Sequence, residues 1–267
     1  MLRQRIVTAL TLAPLVLLAI FWLPPLATVL VFAVPVLAGA WEWAQFSGLQ
    51  RPLARLLYVG AAALLMLVAW AFAATERGLS IILATALAWW LVALLWLVVS
   101  PARANARAAA IAGMLVLVPA WVALSKLHTA TAQGPQLVLF LLLLVVAADV
   151  GAYFTGRRFG RRKLAPQVSP GKTWEGVAGG LIAAGAMALA GIAWLGVNVG
   201  PFMVLCVAVV AASVVGDLTE SLFKRHAGLK DSGHLLPGHG GVLDRIDSVT
   251  AAAPLFVVGL DRLDVLG

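Results

Sequence analysis

Long apolar segments separated by short polar breaks make up most of this chain. A helix needs about 20 apolar residues to cross about 30 Å of hydrocarbon, and on this measure the pattern predicts nine membrane-spanning helices. They lie near residues 6–23, 26–46, 56–74, 80–99, 108–127, 137–156, 177–196, 201–223 and 248–265. The ninth is the weakest, because its uninterrupted apolar core, Val249 to Leu260, is short for a crossing. The pattern therefore predicts an all-α, polytopic integral membrane protein.

The first apolar segment also has features of a secretory signal peptide. Two arginines precede it, and residues 38–40 (AGA) resemble a cleavage site. However, the apolar material before that point is much longer than the core of about 7–15 residues in a signal peptide, and two prolines at 24–25 interrupt it. We therefore expect the first span to be retained.

The basic residues predict the orientation of the spans. If the N-terminus is cytoplasmic and nine spans alternate, all 19 lysines and arginines except Arg77, Lys126 and Arg262 fall on the cytoplasmic side. Such a bias is the usual topology signal of membrane proteins. The net charge of +8 then reports topology, and we expect no nucleic acid partner. The long polar loops 157–176 and 226–247 both fall on the cytoplasmic face.

Composition supports this class of protein. Hydrophobic residues are 63% of the chain, against about 45–50% in soluble domains, which excludes a soluble fold. A single cysteine excludes an internal disulfide and a cysteine-rich metal site. Because the polar chemistry is concentrated in the second half, we divide one membrane-embedded unit into a scaffold of about five helices, 1–136, and a catalytic region, 137–267.

Single carboxylates interrupt the second and the sixth predicted spans. Glu42 is flanked by Trp41 and Trp43 at the cytoplasmic end of the second span. Tryptophan is typical of the membrane interface, so we expect a solvated carboxylate there. Asp149 interrupts the sixth span well before its end. A charge at that depth costs about 2.5–3.5 kcal/mol on insertion scales and generally faces a bundle interior or a water-filled cavity, so we expect Asp149 to contribute to a binding site.

The loop 157–176 carries two different features. Its first half is a basic cluster, which serves either as a positive-inside signal attracted to anionic head groups or as part of a site; the cluster comprises Arg157, Arg158, Arg161, Arg162 and Lys163. Its second half reads SPGKTWEG. The GKT triplet resembles a P-loop, but proline replaces the required first glycine and no strand is predicted before it, which excludes that motif. We predict a Pro-Gly turn that presents Lys172 and Thr173 ahead of a helix N-terminus, where phosphate is the natural ligand.

The eighth predicted span ends in a polar face. Four residues spaced i, i+3, i+4 and i+7 share one side of the helix; they are Asp217, Glu220, Ser221 and Lys224. Because the residues before them are apolar, this face begins inside the membrane. It must therefore look into protein or a cavity.

The loop that follows supplies more charge and several glycines. The run PGHGG, 237–241, surrounds His239 with residues that allow a backbone to approach a ligand closely. Asp244 and Asp247 are three residues apart and can share one helical face. Carboxylate oxygens suit Mg²⁺, and acids that bind metal beside bases that bind phosphate suit phosphoryl transfer.

Residues 221–247, SLFKRHAGLKDSGHLLPGHGGVLDRID, form a long gapped pattern of basic, acidic and glycine positions. This pattern resembles the signature of the phosphatidate cytidylyltransferases, also called CDP-diacylglycerol synthases. The SPGKTWEG segment and the run DVGAY, 149–153, are similar to other recurrent segments of that family. The detailed match covers roughly 149–248, and the first half resembles the family only in hydropathy.

The resemblance implies a multi-pass enzyme of the bacterial inner membrane, active on its cytoplasmic side. It would make CDP-diacylglycerol and pyrophosphate from CTP and the membrane lipid phosphatidate. It also implies Mg²⁺ dependence, with room for a second cation, and a homodimer. Besides a catalytically inactive scaffold, which the full set of acidic and basic residues disfavours, two rival functions stay open on the residues alone. One is another membrane phosphotransferase, with a nucleotide-linked or polyprenyl-phosphate substrate. The other is an ion-coupled transporter, although the polarity here is concentrated in one half of the chain.

The expected site combines the residues that these patterns single out. The expected catalytic residues are Asp217, Lys224, Arg225, Lys230, Asp244, Arg245 and Asp247. Its metal ligands are expected to be Asp217, Asp244 and Asp247. The expected substrate-binding residues are Asp149, Ser169, Lys172, Thr173, Ser221, His239, Gly240 and Gly241.

Overall fold

The computed structural model describes residues 2–100, 105–233, 235 and 240–266, with side chains from residue 11 onward. This part of the chain forms nine α-helices and one two-stranded hairpin. The helices are α1 (Leu2–Phe21), α2 (Pro25–Phe46), α3 (Pro52–Phe72), α4 (Glu76–Val99), α5 (Ala106–Ala130), α6 (Gly134–Phe159), α7 (Trp174–Leu195), α8 (Val199–His226) and α9 (Leu243–Arg262). The hairpin pairs β1 (Lys163–Ala165) with β2 (Ser169–Thr173) in antiparallel register. The predicted all-α class is confirmed.

Seven of the described helices, α2 to α8, are long and apolar enough to cross a membrane. The chain is therefore a multi-pass membrane protein. The helix α9 is not among the seven, which agrees with the short apolar core seen in its sequence. The crossing of all nine helices and the cytoplasmic N-terminus stay predictions.

Helix starts follow local sequence signals. Proline occupies the first or second position of α2, α3 and α6, where its missing N–H is not needed. Asn105 caps α5 by accepting a hydrogen bond from the backbone N–H of Ala108 at 2.8 Å. These signals fixed the breaks between spans to within a few residues.

Helix ends near the polar loops differ more from the prediction. The helix α8 continues to His226, and α9 already begins at Leu243, so Lys224 and Asp244 both lie on helices. The predicted Pro-Gly turn is wrong, because Pro170 and Gly171 lie within β2. The turn of the hairpin is formed by the residues before Ser169, where the Val168 N–H donates to the Ala165 carbonyl.

The apolar core joins the two halves of the chain. One cluster of buried side chains comes mainly from α6, α8 and α9, with stacked and tilted rings of Phe140, Phe202 and Phe256 at its centre. A second cluster combines Trp43 of α2 with Phe223 of α8, whose ring centroids are 5.5 Å apart. The first half of the chain therefore packs directly on the helix ends that carry the polar residues, and the boundary at residue 136 stays a prediction.

Glycines let two helix pairs approach closely, as small residues do between membrane helices. A Cβ on Gly180 of α7 would lie 2.9 Å from the Ala148 carbonyl oxygen of α6. A Cβ on Gly216 of α8 would lie 2.6 Å from the Asp247 carbonyl oxygen of α9. The site lies at the ends of these two tight pairs.

Candidate active site

A cavity of about 420 Å³ opens between α6, α7, α8 and β2. Its apolar wall includes Ala148 and Val210, and its polar wall carries charges of both signs. The charged side chains that line it are Asp149, Arg157, Lys172 and Asp217. An apolar pocket with a few converging polar groups is the usual form of a small-molecule site.

Lys172 and Asp217 form an ion pair across this cavity. The Lys172 Nζ is 2.5 Å from the Asp217 Oδ2, and the two side chains are 28% and 27% exposed. The pair forms because the hairpin packs on α8, where Val168 contacts Leu218 and Leu222 in a small apolar cluster. The structure thus joins the SPGKTWEG segment to the polar face of α8.

The base of the hairpin is fixed to the start of α7. The backbone N–H groups of Arg161 and Arg162 donate to the Glu175 carboxylate at 3.0 and 3.2 Å. Thr173 is buried, and its Oγ1 accepts from the Gly176 N–H at 3.1 Å as the N-cap of α7. The predicted helix N-terminus is present and Gly176 lines the cavity. The Thr173 hydroxyl, however, already accepts a backbone hydrogen bond from Gly176.

Asp149 faces the cavity, as its position in the sixth span predicted. Its charged neighbours are Asp217, Lys172 and Arg245, each within electrostatic range. Asp149 therefore belongs to the same charged network as the ion pair. Its role in binding substrate stays a prediction.

A second charged cluster lies where α8 ends and α9 begins. Lys224 is buried, with its Nζ 2.5 Å from the Asp244 Oδ1 and 3.3 Å from the Glu220 Oε2. The Asp244 Oδ2 accepts from the backbone N–H groups of Ser232, at 3.1 Å, and Gly241, at 2.9 Å. Burial acts to raise the pKa of Asp244, which lies before the apolar part of α9. The hydrogen bond and charge of Lys224 outweigh it and hold that pKa below its usual value.

The predicted metal ligands are divided between the two clusters. Asp247 interacts electrostatically with Asp217 and Glu220, and their carboxylate oxygens suit a hard cation such as Mg²⁺. Asp244 is instead engaged by Lys224 and two backbone amides. Among the described residues no group of three or more histidine, cysteine or acidic side chains is arranged to hold a metal. The metal assignment stays a prediction.

Other predicted residues surround these clusters. Ser221 donates to the Asp217 Oδ1 at 3.4 Å, and Ser169 opens β2 opposite Ala165. Arg225 donates to the carbonyl oxygens of Val168 and Leu229, both at 3.4 Å, which ties the end of α8 to the hairpin.

The remaining predicted residues lie in or after the loop. Lys230 and Arg245 are exposed. Gly240 has a φ of +81°, a conformation that favours glycine. His239 lies outside the described residues.

Glu42 lies in a different environment from the one predicted. The expectation of a solvated carboxylate is wrong, because Glu42 is only 1% exposed. Trp43 is also buried, and its Nε1 donates to the Ala109 carbonyl at 2.7 Å. Like Asp149, Glu42 is a carboxylate after a long apolar run, so its sequence position carried the same signal of a buried role.

Sequence comparison defines the class to which this fold and site belong. A family model for the cytidylyltransferase family matches residues 3–262, so the chain belongs to that family of nucleotidyltransferases. The resemblance seen in the signature residues is thereby confirmed.

Two individual relatives are similar over nearly the whole length, and a third over about half of it. A protein of Haemophilus influenzae named phosphatidate cytidylyltransferase is 42% identical over 281 residues, which cover 96% of this chain and 97% of the relative. A Pseudomonas aeruginosa protein of the same name is 44% identical, with 96% of each chain covered. A Brucella suis protein of that name is 49% identical over 46% of this chain.

Proposed function

We propose that this chain is an enzyme of phospholipid biosynthesis that transfers the cytidylyl group of CTP to phosphatidate, giving CDP-diacylglycerol and pyrophosphate. The observation that carries the proposal is the 42–44% identity, over 96% of the chain, to two proteins named for that activity. The cavity supports it, because it combines an apolar wall with cationic and acidic side chains at one end of the helices.

The reaction proposed is an in-line displacement at phosphorus. A phosphate oxygen of phosphatidate attacks the α-phosphorus of CTP and forms the new P–O bond. The bond from the α-phosphorus to the oxygen shared with the β-phosphorus breaks, and pyrophosphate leaves with that electron pair. The attacking phosphate is already anionic near neutral pH, since second phosphate pKa values are about 6. No strong general base is required.

The cations of the chain would hold and orient the phosphates. Lys172 is partly exposed in the cavity and is paired with one carboxylate, so it can exchange Asp217 for a phosphate oxygen at little cost. Arg157 adds a second cation to the same wall, where the Tyr153 hydroxyl accepts a hydrogen bond from its Nη1 at 2.8 Å. Arg225, Lys230 and Arg245 extend the positive charge along the end of α8 and the start of α9. Such fixed charges stabilise the leaving pyrophosphate.

The acidic residues would hold Mg²⁺, with Asp217, Asp244 and Asp247 as the proposed ligands. When bound, the ion supplies positive charge that neutralises the triphosphate. Asp247 and Asp217 suit this role through their mutual proximity. Asp244 would first have to leave Lys224.

We further propose that the enzyme lies in the bacterial inner membrane with its N-terminus and active site facing the cytoplasm, and that it acts as a homodimer. The distribution of basic residues supports this orientation. Phosphatidate would then enter laterally from the cytoplasmic leaflet.

The decisive test is turnover by the purified protein. With CTP, phosphatidate and Mg²⁺ we expect release of pyrophosphate together with CDP-diacylglycerol, and loss of both on adding a chelator until Mg²⁺ is restored. Substituting CDP-alcohols or UDP-sugars for CTP should give no product. Turnover of those substrates but not of CTP would reject the proposed reaction.

Cysteine labelling tests the orientation. Cys206, the single native cysteine, is buried, whereas Leu235 and Arg77 are exposed. A membrane-impermeant maleimide should label Leu235→Cys only after the inner membrane is opened. It should label Arg77→Cys from the periplasm of cells whose outer membrane is permeable. The reverse pattern would invert the proposed topology.

A further inference from the structure

We propose that Glu42 is a positioning residue for the active site: from α2, its carboxylate holds the start of α9 and the segment around Ser232 in place beside α8. We call Glu42, Ser232 and the backbone N–H groups of Val242 and Leu243 the Glu42 anchor. Its kinetic consequence rests on the function proposed above. Its structural consequence does not.

The carboxylate of Glu42 accepts three hydrogen bonds from the far end of the chain. Its Oε2 accepts from the Leu243 N–H at 2.8 Å and from the Ser232 Oγ at 3.2 Å, and its Oε1 accepts from the Val242 N–H at 3.1 Å. Hydrogen bonds to a charged acceptor are the strong ones. The carboxylate is buried in the process, so it has little water to replace these donors.

Glu42 performs for α9 the task that a capping residue performs for other helices. The first N–H groups of a helix have no partner within the helix and carry its positive dipole end. The N-cap of α9, Val242, makes no side-chain cap of its own. A carboxylate from α2 satisfies these groups instead, so the start of α9 depends on a residue about two hundred positions earlier in the chain.

Ser232 links Glu42 to Asp244 through hydrogen bonds. Its hydroxyl donates to Glu42 and accepts from the Asp244 N–H at 3.3 Å, while its own N–H donates to the Asp244 Oδ2 at 3.1 Å. Gln45 of α2 adds a bond from its Nε2 to the Ser232 carbonyl at 3.3 Å. Ser232 is 1% exposed, so these partners enclose it.

Two glycines leave the space that the carboxylate occupies. A Cβ on Gly233 would lie 2.7 Å from the Glu42 Cδ, and a Cβ on Gly241 would lie 2.6 Å from the Glu42 Oε2. Both distances are below any normal van der Waals contact. The glycines at these positions therefore admit Glu42, whereas the sequence had suggested that glycines in this loop admit a ligand.

The anchor acts through other residues. Glu42 does not line the cavity, but Asp244 is bonded to Ser232 and paired with Lys224. Releasing the anchor would let the start of α9 shift relative to α8, and with it the carboxylates of Asp244 and Asp247. A shift of about 1 Å in a site can lower a rate by about 100-fold.

The kinetic experiment compares Glu42→Gln and Ser232→Ala with two matched controls, Glu76→Gln and Ser80→Ala, whose side chains are exposed in α4. Each full-length variant is purified, and kcat and KM are measured per folded molecule with CTP and phosphatidate. We expect kcat to fall at least about 10-fold in the anchor variants, with the KM for phosphatidate within about twofold. A residue that only stabilises the fold would lower the folded fraction and leave kcat per folded molecule unchanged.

Amide hydrogen exchange tests the anchor without any assay of activity. In Glu42→Gln, peptides that contain Gly241, Val242 and Leu243 should exchange at least about 10-fold faster, while peptides from α6 and α7 keep wild-type rates. Unchanged exchange at these amides, or faster exchange with unchanged kcat, would overturn the proposal. If the wild-type protein shows no CTP-dependent turnover, the proposed function fails. The exchange rates then still test whether Glu42 holds the start of α9 in place.

Discussion

Two ion pairs on neighbouring parts of α8 use the same residue types but differ in exposure and in their hydrogen-bond partners. The pair Lys172–Asp217 lies in the cavity, with each side chain a little over a quarter exposed. The pair Lys224–Asp244 has side chains 11% and 13% exposed, and hydrogen bonds surround its carboxylate. An accessible pair can exchange partners for a substrate at little cost. Breaking an enclosed pair is costly, because the buried charge that remains has lost a partner and has little water to replace it.

This difference distinguishes two ion pairs that are both formed by predicted site residues. In the proposed function the cavity pair would meet a phosphate and a nucleotide, whereas the enclosed pair joins α8 to α9 and to the Glu42 anchor. Charge type and spacing along the chain do not distinguish the two. Exposure and the number of partners do.

The largest expected effect is that of Asp244→Asn. Removing this charge leaves Lys224 with Glu220 alone and weakens two backbone hydrogen bonds. We expect activity to fall at least about 100-fold and the free energy of unfolding to fall by about 3–5 kcal/mol, as when a buried pair is broken. Turnover and the thermal unfolding midpoint in detergent measure both. Near-wild-type turnover would reject a catalytic role for Asp244, and an unchanged midpoint would show that the pair is not structural.

Lys172→Met should affect activity without affecting stability. We expect turnover to fall about 100-fold, because the proposed function places this cation against the reacting phosphates. The free energy of unfolding should change by about 1 kcal/mol or less, because the pair is partly exposed. Lys163→Met, at an exposed position outside the cavity, is the matched control and should keep activity within about twofold. A fall in stability as large as that of Asp244→Asn would remove the distinction between the pairs.

The cavity wall depends on the close contact of α6 and α7, which Gly179→Ala tests. A Cβ at Gly179 would meet the Thr155 side chain and, at 2.9 Å, the Gly151 carbonyl oxygen. We expect the free energy of unfolding to fall by about 1–3 kcal/mol, as for an overpacked core. Gly185→Ala on the same helix meets nothing within 4 Å and should be neutral or stabilising by about 0.5–1 kcal/mol. Equal unfolding midpoints for the two variants would mean that the helices are not tightly packed here.

The smallest effect concerns pH. The folded-state pKa of Asp244 lies below its usual value, which is about 3.9 in an unfolded chain. Its contribution to stability is therefore complete above about pH 4 and is lost as the pH falls through the lower folded-state pKa. The difference in unfolding midpoint between wild type and Asp244→Asn should stay constant between about pH 5 and 8 and shrink below about pH 4. A difference that grows on acidification would contradict the ion pair.

The sequence by itself determined the membrane class, the family, and the position of each helix in the described part of the chain to within about five residues. Hydropathy and helix-ending residues are local properties, and a segment of about 20 apolar residues has few alternatives to a helix in lipid. The signature residues are equally readable along the chain. They identify the chemistry by its residue types.

The tertiary structure alone decided which of these residues are accessible. Lys172 meets Asp217 because the hairpin packs on α8, and Thr173 turns its hydroxyl to the start of α7. Glu42 is buried against α9 although nothing near it in the sequence indicates that partner. A buried polar group needs a hydrogen-bond partner that is close in space. Separation along the chain does not indicate which residue that partner is. The role of each charge in this protein is therefore set by the packing of helices that lie far apart in sequence.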